Sequence, residues 1–411
     1  MEKRLMENLA RAVVESGVNV QKGEEVLVIT QVEACEIARE VAKRAYERGA
    51  KHVYVQYIDE RINALSFDHQ SVNDLTDKPD FYYSVKNYFA EHDGCVINII
   101  CADPNAYEHC DATKIAKAHH ADMAGLKPYY DRAMANKIKW SIIAYPHPAW
   151  AKLMFPDLDE AAAMQKLGEY IAKTTRVDCA DPIGAWKEHA ANLKRRCEKL
   201  NAANVKSFHY KNSLGTDLVV GMPENYIFAG GVEDCRGMNF NANMPTEEIF
   251  SAPDCNNING IVKASMPLCH NGKIIDGIEI TLEKGRITHY TAKTNVDVLK
   301  GIIDTDDGAK SFGEIALVPY DSPISSLHTL FYETLFDENA SCHFAIGRAY
   351  PTCVKGGDEM SEAEQKKAGI NNSATHVDFM VGTKDLTITA ETRDGKTLAV
   401  FENGNFTKNF E

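Results

Sequence analysis

EEVLVIT (24–30), then VEACEIAREVAKRAYERGA (32–50): a short apolar run behind two glutamates, followed by apolar and small residues at helical spacing with a glycine near the end. The first reads as a buried strand and the second as the helix that returns across it. The pattern repeats. HVYVQYI (52–58), GCVINIICA (94–102) and IKWSIIAYP (138–146) are three more strand-like runs, separated by polar helical stretches. Strands spaced by helices make βαβ units, and hence a mostly parallel sheet covered on both faces. Neither GxGxxG nor GxxxxGK[ST] follows any of these strands, so a nucleotide site has no chemical support.

From about Asp157 to Asn201 the chain is helical, charged and alanine-rich, and beyond it the texture changes. VKSFHYK, DLVVGMP, GIVKASMP, GKIIDGIEITLEKGRITHYTA and LTITAETRDGKTLAVFENGNF are short β-rich runs broken by Gly, Asn and Asp-Gly turns. A helix is expected around SPISSLHTLFYETLF (322–336). The expected fold class is α/β. An N-terminal βαβ parallel-sheet domain with its helical connector covers residues 1–200, and a β-rich α+β domain covers 201–411. With 411 residues the chain exceeds the ~250–300 at which single cores stop growing, which also requires a division.

The formal charge of −14 argues against a phosphate-backbone partner, which calls for a basic stripe, so no nucleic acid is expected. No run of 18 apolar residues occurs, and no membrane span is expected. MEKRLMENLARAVVESG reads as an amphipathic helix, not a secretory signal. Eleven cysteines without a CxxC pair suggest reduced thiols in the cytoplasm. Without secretion, the sequons at Asn339, Asn371 and Asn405 carry little meaning.

Four segments after residue 240 set ligand-type residues into apolar runs: NMPTEEIFSAPD (243–254), SFGEIALVPYDSPIS (311–325), LFDENASCHFAIGRAYP (335–351) and NNSATHVDFMVGT (371–383). His376 and Asp378 are two apart in a strand-like run, so they share a face; a satisfied structural pair fits as well as a ligand pair. Glu314 interrupts an apolar strand, either buried with a partner or exposed at the strand end beside Gly313. Glu338 falls on a turn before a strand that begins near His343, and a lone histidine there is more often structural than a ligand. Glu247 and Glu248 either join such a site or start a helix.

Taken together, Glu248, Glu314, Glu338, His343, His376 and Asp378 offer four carboxylates and two imidazoles. Converging carboxylates at ~4 Å repel by about 1 kcal/mol per pair in water and up to ~4 kcal/mol near a protein surface. A bare cluster would protonate or disperse, whereas two divalent cations match −4 with +4. Oxygen-rich ligands with two imidazoles suit zinc, cobalt or manganese, and paired metals are a known arrangement for hydrolysis.

NMPTEE, GEIALVPYDSPI, LFDENASCHFAIGRAYP and NxSATHVDFMVGT resemble the signature blocks of the aminopeptidase T/S metallopeptidases. The resemblance runs over the whole second domain, and DENAxCH…Y with HVDFM is its specific part. It implies a cytoplasmic two-metal aminopeptidase acting on peptide substrates, often a homodimer with an enclosed cavity. It implies metal-ligand roles for Glu248 (with Glu247 the fallback), Glu314, Glu338, His343, His376 and Asp378, and a catalytic role for Tyr350. On this reading Glu314 bridges the metals or takes a proton from the attacking water, and Tyr350 donates to the oxyanion. Arg348 holds a carboxylate of the site or substrate or, more in keeping with its type, supports the ligands from behind or lies at the surface. Two rivals stand beside it. One is a small-molecule or cation-binding two-domain protein without peptidase activity. The other is a serine or cysteine enzyme, which the absence of GxSxG and the opposed faces of adjacent Cys342 and His343 disfavour.

Overall fold

The computed structural model describes residues 1–270 and 272–411. Contacts divide the chain into two compact units, Met1–Glu188 with Val232–Pro245 and His189–Gly231 with Thr246–Glu411. In the first, β1 (Glu25–Gln31), β2 (His52–Ile58), β3 (Cys95–Ile100) and β4 (Trp140–Ala144) form a parallel sheet in the order β2-β1-β3-β4. The Cys35–Glu47 helix joins β1 to β2 and buries Ile37, Ala38, Val41 and Ala45, one stripe of its surface. Central β1 and β3 bury consecutive residues, Val26 to Val28 and Cys95 to Ile97, as a strand covered on both faces must. Edge strand β2 leaves Tyr54 and Tyr57 exposed. Two helices, Glu160–Thr174 and Pro182–Ala202, occupy the stretch expected to be helical.

The second unit holds two large antiparallel sheets and a two-stranded one, Leu268–His270 with Lys273–Ile275. The larger has eight strands, running in space from Arg286–Thr291 at one edge through Val205–Lys211 near its centre to Asn405–Phe406 at the other. The smaller has four, ordered His376–Met380, His343–Gly347, Phe312–Leu317 and Ile249–Ser251. One hydrophobic core lies between the sheets, with Phe208, Val220, Ile280 and Ile388 from the larger meeting Phe312, Ile315, Phe344 and Phe379 from the smaller. Tyr210 meets Phe344 edge-on across it, with ring centroids 5.1 Å apart. The α/β class with a parallel N-terminal sheet and a β-rich second half is therefore the fold observed.

One local expectation gives way, and one alternative reading falls. No continuous helix forms over 322–336; a short 3-10 turn at Ser325–Leu327 and a single helical turn at Thr334–Asp337 stand there instead. The buried Asp337 carboxylate accepts the backbone N–H groups of Phe331 (2.7 Å) and Glu333 (3.2 Å), drawing them out of a helical ladder. His328 and Tyr332 between them take left-handed backbone conformations, at φ 48° and 58°. Glu247 and Glu248 likewise start no helix, because the strand Ile249–Ser251 follows directly.

Phe344 is fully buried and stacks on Phe312 at 5.2 Å. Phe344→Ala should lower unfolding free energy by about 3–5 kcal/mol, read from the denaturant midpoint at unchanged slope.

Candidate metal centre

The small sheet has an apolar face and a charged one. Alternation sends Phe344 and Ile346 of one strand and Val377 and Phe379 of the next into the core. His343, Ala345, His376 and Asp378 then fall on the opposite face. In the third strand simple alternation would place Phe312 beside Glu314. A bulge prevents this, since two steps from Phe312 to Glu314 span one step from Ile346 to Ala345. The extra residue is Gly313, where a Cβ would lie 2.3 Å from the backbone of Arg348, so no other residue fits. Phe312 thereby turns into the core and Glu314, only 5% exposed, turns onto the charged face.

The register aligns Glu314, Ala345 and Asp378 in one row across three strands. The methyl of Ala345 leaves room for the two longer side chains to lean together. Donor atoms of Glu314, His376 and Asp378 lie within 4.8 Å of one another, and so do those of Glu248, Glu314 and His343. Glu314 belongs to both groups. Its Oε1 is 3.7 Å from Nε2 of His343, and its Oε2 is 3.5 Å from Nε2 of His376. Glu248 Oε2 lies 3.1 Å from His343 Nε2, and Asp378 Oδ1 lies 3.4 Å from His376 Nε2.

Both imidazoles are oriented by the backbone. His343 Nδ1 lies 3.0 Å from the Ser341 carbonyl and His376 Nδ1 lies 2.7 Å from that of Arg348. A carbonyl only accepts, so each Nδ1 carries the proton and each Nε2 faces the carboxylates. This is the arrangement of metal-ligating histidines.

Charge crowding shows in the acidities. Burial, and then the charges of Asp378 and Glu248, raise Glu338 well above the usual carboxylate range, and burial raises Glu314 as well. For His343 burial opposes the charged form, but the approach of Glu248 and Glu314 outweighs it and the pKa rises strongly. Burial acts the same way on His376, and Asp378 overcomes it, pushing the pKa up to about 10. Asp378 itself is held low, burial being outweighed by the His376 imidazole. The cluster draws in positive charge wherever it can. Two of its buried oxygens, Oε2 of Glu248 and Oδ1 of Asp378, face an imidazole Nε2 each and make no well-formed hydrogen bond among the described residues. Anionic oxygens of that kind, beside imidazoles presented through Nε2, fit divalent cations.

Glu247 points elsewhere: its Oε2 lies 3.8 Å from His189 Nε2, which donates to the Thr246 carbonyl at 2.7 Å. Tyr350 packs edge-on against His376 at 5.5 Å and tilts over Phe250 at 5.7 Å. Burial, and then the carboxylates of Glu314 and Asp378, raise its pKa, so the phenol keeps its proton. Arg348 is exposed and forms no ion pair among the described residues. Cys342 lies in the core on the face away from His343, and burial pushes its thiol up to about 12, which removes it as a nucleophile.

Sequence reasoning missed Asn339, noted only as a sequon. It is fully buried; its Nδ2 donates to the Leu335 carbonyl at 3.0 Å, and its Oδ1 accepts the N–H of Glu247 at 2.7 Å. One amide thus ties the turn that carries Glu338 to the segment that carries Glu248. Its place between two ligand-type residues in DENAxCH was the available signal.

A family model described as thermophilic metalloprotease (M29) matches residues 2–406. Aminopeptidase 2 of Geobacillus stearothermophilus is 39% identical over 406 residues, 98% of each chain. Aminopeptidase AmpS of Bacillus subtilis is 38% identical over 398 residues, 97% of each. The structure of wild-type AmpT from Thermus thermophilus superposes with a TM-score of 0.93 at 33% identity, covering 98% of this chain and 99% of that one. The chain belongs to the M29 family of metalloproteases.

Proposed function

We propose that the chain is an aminopeptidase that hydrolyses N-terminal residues from peptides with two divalent cations, of the zinc, cobalt or manganese class. Glu248, Glu314 and His343 form one ligand group and Glu314, His376 and Asp378 the other, with Glu338 beside both. The observation that carries this reading is Glu314, whose two oxygens face the two imidazoles separately. Bound there, such cations polarise a carbonyl and lower the pKa of water to near neutrality.

The chain's own groups supply the rest. Glu314 either spans both ligand groups or, with one oxygen left free, takes the proton of the water that attacks the scissile carbonyl. Tyr350, protonated and held against His376, donates a hydrogen bond to the oxygen on which negative charge develops. The surrounding carboxylates offer an anionic partner for the free α-amine that marks a peptide N-terminus. Asn339 holds the Glu248 and Glu338 segments at a fixed separation. A homodimer and a cytoplasmic location belong to the same proposal and rest on the family resemblance. Among the described residues no helix is long and apolar enough to cross a membrane.

Chelation of the purified protein should abolish cleavage of an aminoacyl chromogenic amide, and re-addition of single divalent ions should restore it; chelator-insensitive cleavage would refute the mechanism. Tyr350→Phe should lower kcat by roughly 10²–10³ with bound metal unchanged, and a negligible loss would return the ring to a packing role. Asn339→Ala should weaken cation affinity about 10–100-fold in a metal-competition titration while removing about 1–3 kcal/mol of stability.

A further inference from the structure

The first unit carries a second convergence of metal-binding side chains. Asp68 lies at the end of the Glu60–His69 helix, and His109 and Cys110 close the loop that follows β3. Donor atoms of all three lie within 4.8 Å of one another. His109 Nε2 is 3.5 Å from Asp68 Oδ2 and 3.7 Å from Cys110 Sγ. A tetrahedral ion with bonds of ~2.0 Å to nitrogen, ~2.1 Å to oxygen and ~2.3 Å to sulfur separates nitrogen from oxygen by ~3.4 Å and nitrogen from sulfur by ~3.5 Å. The two observed separations lie within ~0.2 Å of those edges.

The surroundings favour the same ligand. The loop is seated on the helix by Tyr107, whose ring meets Phe67 edge-on at 5.4 Å and whose hydroxyl accepts from Asn63 at 3.4 Å. Lys114 clamps the helix end, donating to the carbonyls of Phe67 and Gln70 at 2.8 Å each. Asp68 and His109 also line an open pocket of about 400 Å³, shared with Glu33, Glu60, Asp103, His147 and a single arginine, Arg61. Glu33, Glu60, Asp103 and His147 follow the carboxyl ends of β1, β2, β3 and β4 respectively, where open parallel sheets bind their ligands. Four carboxylates, Asp68 among them, against one guanidinium favour a cation there.

We propose that Asp68, His109 and Cys110 bind one divalent transition-metal ion of the zinc class, separate from the centre on the small sheet. Binding releases the Cys110 thiol proton to solvent, leaves a fourth position for water, and staples the loop after β3 to the Glu60–His69 helix. The proposal does not depend on the peptidase reading, because the cluster on the small sheet contains no cysteine.

The discriminating probe is cobalt(II) added to the full-length protein after chelation. Wild type should show a sulfur-to-cobalt charge-transfer absorption in the near ultraviolet. Cys110→Ser should lose that band and one bound cobalt per chain while keeping hydrolysis of an aminoacyl amide, and His109→Gln should lose the same equivalent. A missing band in wild type, a band that survives Cys110→Ser, or equal cobalt stoichiometry in all three proteins would reduce the trio to a surface ion pair beside a thiol.

Discussion

Four carboxylates brought together on one face of a four-stranded sheet form the constraint around which the second unit is organised. Glu314 is 5% exposed, and Asp378 stands two strands away in the same row, so water cannot screen them as it would at a surface. Such a cluster exists only where the rest of the fold holds it against its own repulsion and supplies positive charge. The raised pKa values of His343, His376, Glu314 and Glu338 are the local record of that demand.

The restraint comes mainly from the backbone. Adjacent strands fix Glu314 and Asp378 on either side of Ala345, and carbonyls of Ser341 and Arg348 fix both imidazole tautomers. Asn339 couples the two acidic segments that lie off the sheet, and Asp337, pushed by burial to a pKa of about 7, folds the loop leading into them. Few side chains in the centre are left to find their own position.

Much of this was legible in the sequence, and the reasons are specific. The strands of the parallel sheet stood out because consecutive apolar residues between helical stretches leave few alternatives. His376 and Asp378 were placed on one face by period-two alternation alone, and the turn–strand reading of Glu338 and His343 matches the observed elements. Other features depend on contacts remote in sequence. Plain alternation misplaces Phe312, because the bulge at Gly313 answers to the backbone of Arg348. The helix expected over 322–336 was undone by one buried carboxylate beyond its end. Choosing between Glu247 and Glu248 required seeing His189 beside the former and His343 beside the latter.

The strands that carry His343, Asp378 and Glu314 also carry Phe344, Phe379 and Phe312 into the core on their reverse side. Every second residue of this floor is therefore answerable to packing, and those between are answerable to the charged cluster. Such a surface offers selection almost no neutral positions to explore. Divergence in what the site accepts would have to accumulate in those parts of the segments 320–340 and 348–375 that leave Asp337, Glu338, Asn339, Arg348 and Tyr350 untouched. An engineer seeking new side-chain preferences would start there and leave the sheet alone.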